Sequence, residues 1–485
     1  MQASAPASLE AQMAAAKALY QANQPARAEA SLRALRDREP AREEVAMLLA
    51  DVQRSQGRLT AASETLLTVC GANTFEPRLS VRCVEFVRQC DRHEVAAQIC
   101  EGALARGPVS PDLLVLAGHV ARELGDFATA RTRYMAALDA GVDLERNHVL
   151  GALANTKRYA DPGDSDLARC ERHFRDAAFS ARSRASAGFG LAKIRDDLGD
   201  YASAAKTLRE SNAMVSAVAR WNTSAWLSFV DMRLRERIAS EPNEAAKGFV
   251  PVFIVGVPRT GTTLAASLLA RATRAHDRGE LRSLRFIGER LVAGGHLHDA
   301  NALAEAANLY RTLAVQDDAP AACYLDQDPL NFRWLHIAAA MFPQARVIHL
   351  RRDPRDTALS LWSQDFAHPD LAFAYDFDDM AAYMRGHDAL MRHWAQSLSL
   401  PIFELDYEAL VTKPQASLAK LRDFIGAPAI EPDALQSRAG QGAPVQSASV
   451  WQARQPVYST SVGRWRHYAS YAPELESFKA ETLLG

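Results

Sequence analysis

The stretch VFIVGVPRTGTT, residues 252–263, decides how the second half of this chain is read. Val252 to Val257 is apolar and rich in β-branched residues, the composition of a buried strand. Gly256 and Gly261 then follow the G-x-x-x-x-G spacing of a phosphate-binding loop, but Thr262 stands where that loop has its lysine. A strand, a glycine-bounded turn and a helix opening at Thr262 aim backbone N–H groups at an anion. Arg259 lies inside the loop, where it can supply the missing charge, and Thr260, Thr262 and Thr263 add hydroxyls. The missing lysine disfavours a P-loop kinase, and no second carboxylate strand suited to Mg²⁺ is evident, so no metal is expected.

A second motif follows in RVIHLRRDPRDTALSLWSQDF, residues 346–366. It reads as a buried strand, then Arg352, then a helix opened by Pro354 with Ser360 in its first turns. A strand-end guanidinium and a helix hydroxyl suit a phosphate in the crevice where parallel sheets bind ligands. On its own, an R-x-P-x-D helix start is also an ordinary cap. Around the two motifs, short β-rich runs alternate with helical segments from residue 249 onward, which implies a central parallel sheet flanked by helices.

The first half repeats. Ala28, Ala62, Ala96 and Ala130 recur every 34 residues, each after a short turn: NQPARA, GRLTAA, DRHEVA and GDFATA. The turn returns as GDYASA at Ala204, 74 residues beyond Ala130, a gap that fits two repeats and an insertion near YADPGDSD, 159–166. This period and these turns resemble the tetratricopeptide repeat (TPR), a helix–turn–helix unit whose small residues let two helices cross closely. Gly118, Gly125, Ala130, Tyr134 and Ala137 match it best. The expected organisation is a helical TPR solenoid over 1–220, a bridging helix and linker over 221–248, and an α/β P-loop-like domain over 249–485.

Composition sets the outer bounds. A formal net charge of −2 over 485 residues excludes a nucleic-acid binder driven by bulk electrostatics. The start, MQASAPASLEAQMAAAKALY, has no basic segment followed by an apolar core, and no run approaches the ~20 apolar residues of a membrane span. Neither a membrane nor a nucleic-acid partner is expected, and the cytoplasm is the expected compartment. The six cysteines lack CxxC spacing and read as buried free thiols.

Taken together, GVPRTGTT resembles the 5′-phosphosulfate loop of sulfotransferases and RRDPRDTALS their 3′-phosphate motif. Those enzymes use 3′-phosphoadenosine-5′-phosphosulfate (PAPS), and the resemblance covers roughly residues 250–470. With the repeats in front, the chain resembles the bacterial TPR-sulfotransferases and is similar to tyrosylprotein sulfotransferases. The resemblance implies that Arg259, Thr260, Gly261, Thr262 and Thr263 hold the phosphosulfate, and that Arg352 and Ser360 hold the 3′-phosphate. Two separated cationic pockets would thus grip opposite ends of one nucleotide. It further implies that Tyr407 in PIFELDYEAL (401–410) meets the adenine region. SVWQARQPVYSTSVGRWRHY (449–468) would form a lid, with Arg454, Tyr458, Ser461 and Trp465 as its candidates.

For catalysis, the resemblance makes Glu280 in HDRGELRSL (276–284) the base that takes the acceptor proton. Cytosolic relatives use histidine, which leaves His276, His296 and His298 as alternatives. Gln327, in YLDQDPLNF (324–332), stands where the catalytic lysine is expected, beside Arg259 in the catalytic set. Losing one preorganised charge costs on the order of 3 kcal/mol, roughly a hundredfold in rate, unless Arg333 or Arg454 compensates. The implied activity is sulfuryl transfer from PAPS to an acceptor hydroxyl. The acceptor would be protein tyrosine in a peptide held on the array's concave face, or a small hydroxylated molecule. The alternative is a catalytically weak or inactive nucleotide-binding scaffold.

Overall fold

The computed structural model describes residues 8–106, 110–236, 248–366, 368–428 and 460–479. Most of the linker expected at 240–248, and the lid positions Arg454 and Tyr458, lie outside the described residues. Packing divides the chain into two compact units, one of residues 1–142 with 311–320, the other of residues 143–310 with 321–485.

The first unit is helical: α1 (Leu9–Gln21), α2 (Pro25–Arg38), α3 (Glu43–Ser55), α4 (Leu59–Ala72), α5 (Pro77–Gln89), α6 (His93–Leu104), α7 (Pro111–Leu124) and α8 (Phe127–Asp139). Pro25, Pro77 and Pro111 open their helices where a missing N–H costs nothing. Ala28, Ala62, Ala96 and Ala130 are all fully buried, one near the start of each second helix of a pair. Long polar side chains repeat with the helices and fix their stacking. Arg54 donates to Gln89 at 3.1 Å, and one pair later Arg88 donates to Glu123 at 2.9 Å. Burial alone would raise the Glu123 pKa, but hydrogen bonds from His93 and Arg88 hold it at about 2. Residues 316–318 also belong here, where the Asp317 carboxylate accepts from Thr60 N at 2.9 Å and Ala61 N at 3.0 Å. An acid on the first amides of α4 is the favourable end of that helix dipole.

The second unit begins with α9 (Leu144–Asn147), α10 (Val149–Ala154), α11 (Ser165–Arg175), α12 (Ala181–Asp197), α13 (Tyr201–Ser216) and α14 (Thr223–Arg235). The expected insertion is the loop between α10 and α11, and Ala204 is buried like its counterparts. Among the described residues five strands follow, β1 (Pro251–Gly256), β2 (Ala275–Asp277), β3 (Cys323–Asp326), β4 (Arg346–Arg351) and β5 (Ile402–Asp406), in the spatial order β2-β3-β1-β4-β5. All neighbouring pairs are parallel. The connections run through α15 (Thr262–Ala272), α16 (Ser283–Ala293), α17 (Ala300–Val315), α18 (Leu335–Met341), α19 (Pro354–Trp362) and α20 (Phe377–Ser397). Among the described residues two more α-helices, α21 (Tyr407–Thr412) and α22 (Pro414–Ile425), follow β5.

Both sheet faces are covered, as parallel sheets require. Val252, Ile254, Leu325, Ile348 and Leu350 form one apolar cluster with Ala265, Ala266 and Leu269 of α15 and Leu421 and Ile425 of α22. On the other face Phe253 meets Tyr310 of α17 at 5.7 Å, and His349 meets His387 of α20 at 5.2 Å. The chain leaves the central strand β1 for β2 and β3 on one side, then crosses to β4 and β5 on the other. The strand order therefore reverses at β1, where a doubly wound sheet opens a crevice at its carboxyl end.

By pattern the helical half was expected to end at residue 220; by packing, α9–α14 share the unit of the sheet. Trp226 of α14 donates from Nε1 to Ala382 O at 3.1 Å and stacks on Tyr383 at 4.8 Å. Asn212 donates to Trp362 O at 2.9 Å, and Arg209 pairs with Glu474 at 2.7 Å. No described helix is long and apolar enough to cross a membrane, and all six cysteines are buried and free.

A Cβ added at Gly118 would lie 2.5 Å from Cε1 of Tyr134, whereas one at Gly71 meets nothing within 4 Å. Gly118→Ala is expected to destabilise the chain by about 1–3 kcal/mol through overpacking, and Gly71→Ala to stabilise it by up to ~1 kcal/mol through helix propensity. Midpoints of denaturant unfolding for the two variants, moving in opposite directions, check this.

Candidate active site

The loop after β1 owes its shape to left-handed backbone. Arg259 has φ 77° and Gly261 φ 107°. Left-handed geometry is strained for a bulky non-glycine residue. Gly256 carries no Cβ because one would sit 2.7 Å from both Leu350 O and Thr260 Oγ1. The Thr260 hydroxyl turns inward and donates to Val257 O at 2.8 Å, locking the turn rather than facing outward. Thr262 and Thr263 are the buried first residues of α15, with Gly261 as a cap that has no side chain to compete for their N–H groups.

The bend at Arg259 sends its side chain across the crevice, where Nε donates to Ser360 Oγ of α19 at 3.1 Å. Arg352, just past β4, donates from Nη1 to the Arg259 carbonyl at 3.0 Å and from Nη2 to Ser461 O at 2.8 Å. Its guanidinium lies 4.6 Å from the ring of Tyr407, at the start of α21. The same ring closes over the loop, since a Cβ on Gly261 would be 2.7 Å from Tyr407 Cδ2. Arg259, Gly261, Arg352, Ser360 and Tyr407 thus form one continuous cluster at the carboxyl end of β1, β4 and β5. The left-handed turn folds the first motif's Arg259 onto Ser360 of the second motif, so the two motifs meet here side chain to side chain. Arg352 Nε is buried and without a partner among the described residues, a donor still available to an anion.

A cavity of about 90 Å³, partly open to solvent, continues below this cluster. Val257, Thr260, Arg351, Arg352, Thr357 and His387 are among its walls.

Across β1 from this cluster, the ends of β2 and β3 carry the other candidates. Gln327 donates from its backbone N to Gly279 O at 2.9 Å, which sets Glu280 beside it. Glu280 is exposed. The Gln327 amide is buried, with Nε2 3.4 Å from Asp277 Oδ1 and Oε1 without a partner among the described residues. It is therefore directed at a carboxylate of β2. Arg333 is not placed to stand in for the absent lysine. Its Nη2 donates to Tyr383 Oη at 3.3 Å, Nη1 lies 3.9 Å from Asp370, and its guanidinium sits over the Trp226 ring. Of the histidines, His276 lies in β2 with Nδ1 3.1 Å from Arg278 Nη2. His296 and His298 are exposed beyond α16, His296 beside Asp299. Among the described residues no cluster of His, Cys, Asp and Glu is suited to a metal ion.

Two acids that were given no role in holding the nucleotide organise the site. Asp353 is the cap of α19, accepting from Arg355 N at 2.8 Å, while Asp356 is buried and serves the lid candidate. Its carboxylate accepts from Gly463 N at 2.6 Å and Trp465 N at 2.9 Å, and Trp465 packs over Arg355 at 4.1 Å. Ser461 reaches Arg352 through its carbonyl, not its hydroxyl. The second residue is Asp326, at the end of β3, which binds the loop that bears Glu280.

Residues 251–432 match the Sulfotransferase family. The matched region contains β1–β5 and every candidate of the two motifs. An uncharacterized protein of Aquifex aeolicus (strain VF5) is 30% identical over 331 residues, which cover 64% of this chain and 43% of that protein. The chain thus spans less than half the length of that curated relative. Among solved structures, the sulfotransferase domain from the Synechococcus PCC 7002 olefin synthase is 19% identical, covers 50% of this chain and 98% of its own, and has a TM-score of 0.34. Sulfotransferase STF1 from Mycobacterium tuberculosis H37Rv is 16% identical, covers 67% and 97%, and has a TM-score of 0.23.

Gly261→Ala is expected to cost about 1–3 kcal/mol, from the strained φ and from the clash with Tyr407. The clash part should vanish in a Tyr407→Ala background. Chemical unfolding of both single variants and the double variant checks this, because the two losses should sum to more than the double variant shows.

Proposed function

We propose that the chain transfers the sulfuryl group of PAPS to an acceptor hydroxyl, with protein tyrosine as the acceptor. The observation that carries this reading is the single cluster in which Arg352 touches the Arg259 carbonyl, Arg259 touches Ser360, and Tyr407 covers Gly261. Arg352 and Ser360 would hold the 3′-phosphate. The N–H groups opening α15, with Thr262, Thr263 and Arg259, would hold the phosphosulfate. The acceptor oxygen attacks sulfur in line, the bond from sulfur to the 5′-phosphate oxygen breaks, and 3′,5′-ADP leaves. Glu280 takes the acceptor proton. A sulfuryl group carries less negative charge than a phosphoryl group, so fixed guanidinium groups and amide dipoles suffice without a metal. The repeated helices, read as a TPR array, would hold the peptide that carries the tyrosine.

The second reading, a nucleotide-binding scaffold with weak or no turnover, rests on Gln327. Its amide is directed at Asp277 and brings no positive charge to the leaving phosphate. Transfer of labelled sulfate from PAPS to tyrosine peptides separates the readings. Tight 3′,5′-ADP binding without transfer to any acceptor would favour the scaffold.

Arg352→Ala is expected to weaken 3′,5′-ADP binding at least tenfold while changing 5′-AMP binding less than threefold; equal losses in calorimetric titrations would refute the assignment. Glu280→Gln is expected to lower kcat by 10²-fold or more with 3′,5′-ADP affinity retained. Gln327→Lys is expected to raise kcat about tenfold, and single-turnover rates with PAPS decide whether the charge is missed.

A further inference from the structure

The loop bearing Glu280 is held by a buried carboxyl group that the reaction itself does not use. Asp326 is 1% exposed, at the end of β3 and next to Gln327. Its Oδ1 accepts from Leu281 N at 3.2 Å and from Asp328 N at 3.1 Å. Its Oδ2 is 2.8 Å from the hydroxyl of Tyr310, itself 1% exposed on α17. On the near side of Glu280, Gly279 N donates to Asp277 Oδ1 at 2.9 Å and Gly279 O accepts from Gln327 N at 2.9 Å. The residues on both sides of Glu280 are therefore tied by their backbone to β2 and β3, while the glutamate side chain is left exposed.

We propose that Asp326, seated by Tyr310, is a positioning residue that fixes the backbone at 279–281 and so aims the Glu280 carboxylate at the acceptor hydroxyl. This rests on Glu280 being the base. The chemistry of the clamp supports it. Such ties matter because misplacing a catalytic group by about 1 Å costs on the order of 10²-fold in rate. Burial, then the nearby charge of Asp328, pushes the Asp326 pKa well above the usual carboxylate range. Asparagine keeps a carbonyl oxygen for the two amide donors on Oδ1 and turns its NH₂ toward the Tyr310 hydroxyl oxygen. Alanine leaves both amides without their acceptor.

The experiment compares Asp326→Ala and Asp326→Asn in the full chain by kcat for sulfate transfer, by 3′,5′-ADP affinity, and by amide hydrogen exchange of the peptide containing Leu281. Expected are a kcat loss of about 100-fold in Asp326→Ala, 3′,5′-ADP affinity within twofold of the parent, and faster exchange confined to that peptide. Asp326→Asn should restore kcat to within about threefold. Unchanged exchange and unchanged kcat in Asp326→Ala would overturn the proposal. So would equal losses in both variants accompanied by loss of nucleotide binding, which is the signature of general unfolding. Faster local exchange with full turnover would overturn the positioning role, and full turnover in Glu280→Gln would instead sink Glu280 as the base, so the two failures are told apart. If Asp326→Ala does not fold, Tyr310→Phe is read by the same assays. The same pattern in milder form supports the clamp, and parental values in all three measurements overturn it.

Discussion

The arrangement depends on the parallel pairing of β1 with β4, in which Gly256 lies opposite Leu350. That register ends both strands at the same level, so the chain that leaves β1 and the chain that leaves β4 emerge side by side. A glycine at position 256 lets the two backbones approach, and the Arg352 side chain then spans to the Arg259 carbonyl at 3.0 Å. Had the strands been offset by one residue, the side chains of β4 would exchange faces and His349 would enter the apolar cluster now occupied by Ile348 and Leu350. The site is thus a consequence of strand pairing first and of motif chemistry second.

Much of this was legible in the residues. The strand ending in Gly256, the turn to Gly261 and the helix from Thr262 are each signalled by local composition, and so are Arg352 at a strand end and Ser360 in the next helix. The 34-residue recurrence of alanine reports burial faithfully because only a small residue fits where two helices cross. What escaped the pattern is long-range. Arg259 meets Ser360 through a left-handed backbone angle that non-glycine residues rarely adopt, so no propensity announces it.

The acids show the same limit from another side. Asp353 and Asp356 are three residues apart in one helix start, yet the first caps the helix and the second binds a segment over 100 residues away. Asp326 follows an apolar run and reads like any acid at a strand end, until Tyr310 and Leu281 are seen on its two oxygens. The division of the chain was hidden likewise. The turn between α12 and α13 carries the same signal as the earlier pairs, but Asn212 and Arg209 meet partners 150 to 265 residues away, which periodicity does not encode.

Asp356 also bears on how this protein can be cut. A fragment trimmed to the family match at 251–432 would lose Gly463 and Trp465, opening the Asp356 carboxylate of α19 to water. Each lost hydrogen bond to such a group forfeits about 1.5–3 kcal/mol. The same scissors would strip Trp226 from its stack on Tyr383. The smallest piece worth expressing therefore runs from the helices after residue 142 to beyond Phe478, because heredity marks one border on this chain and cohesion marks another.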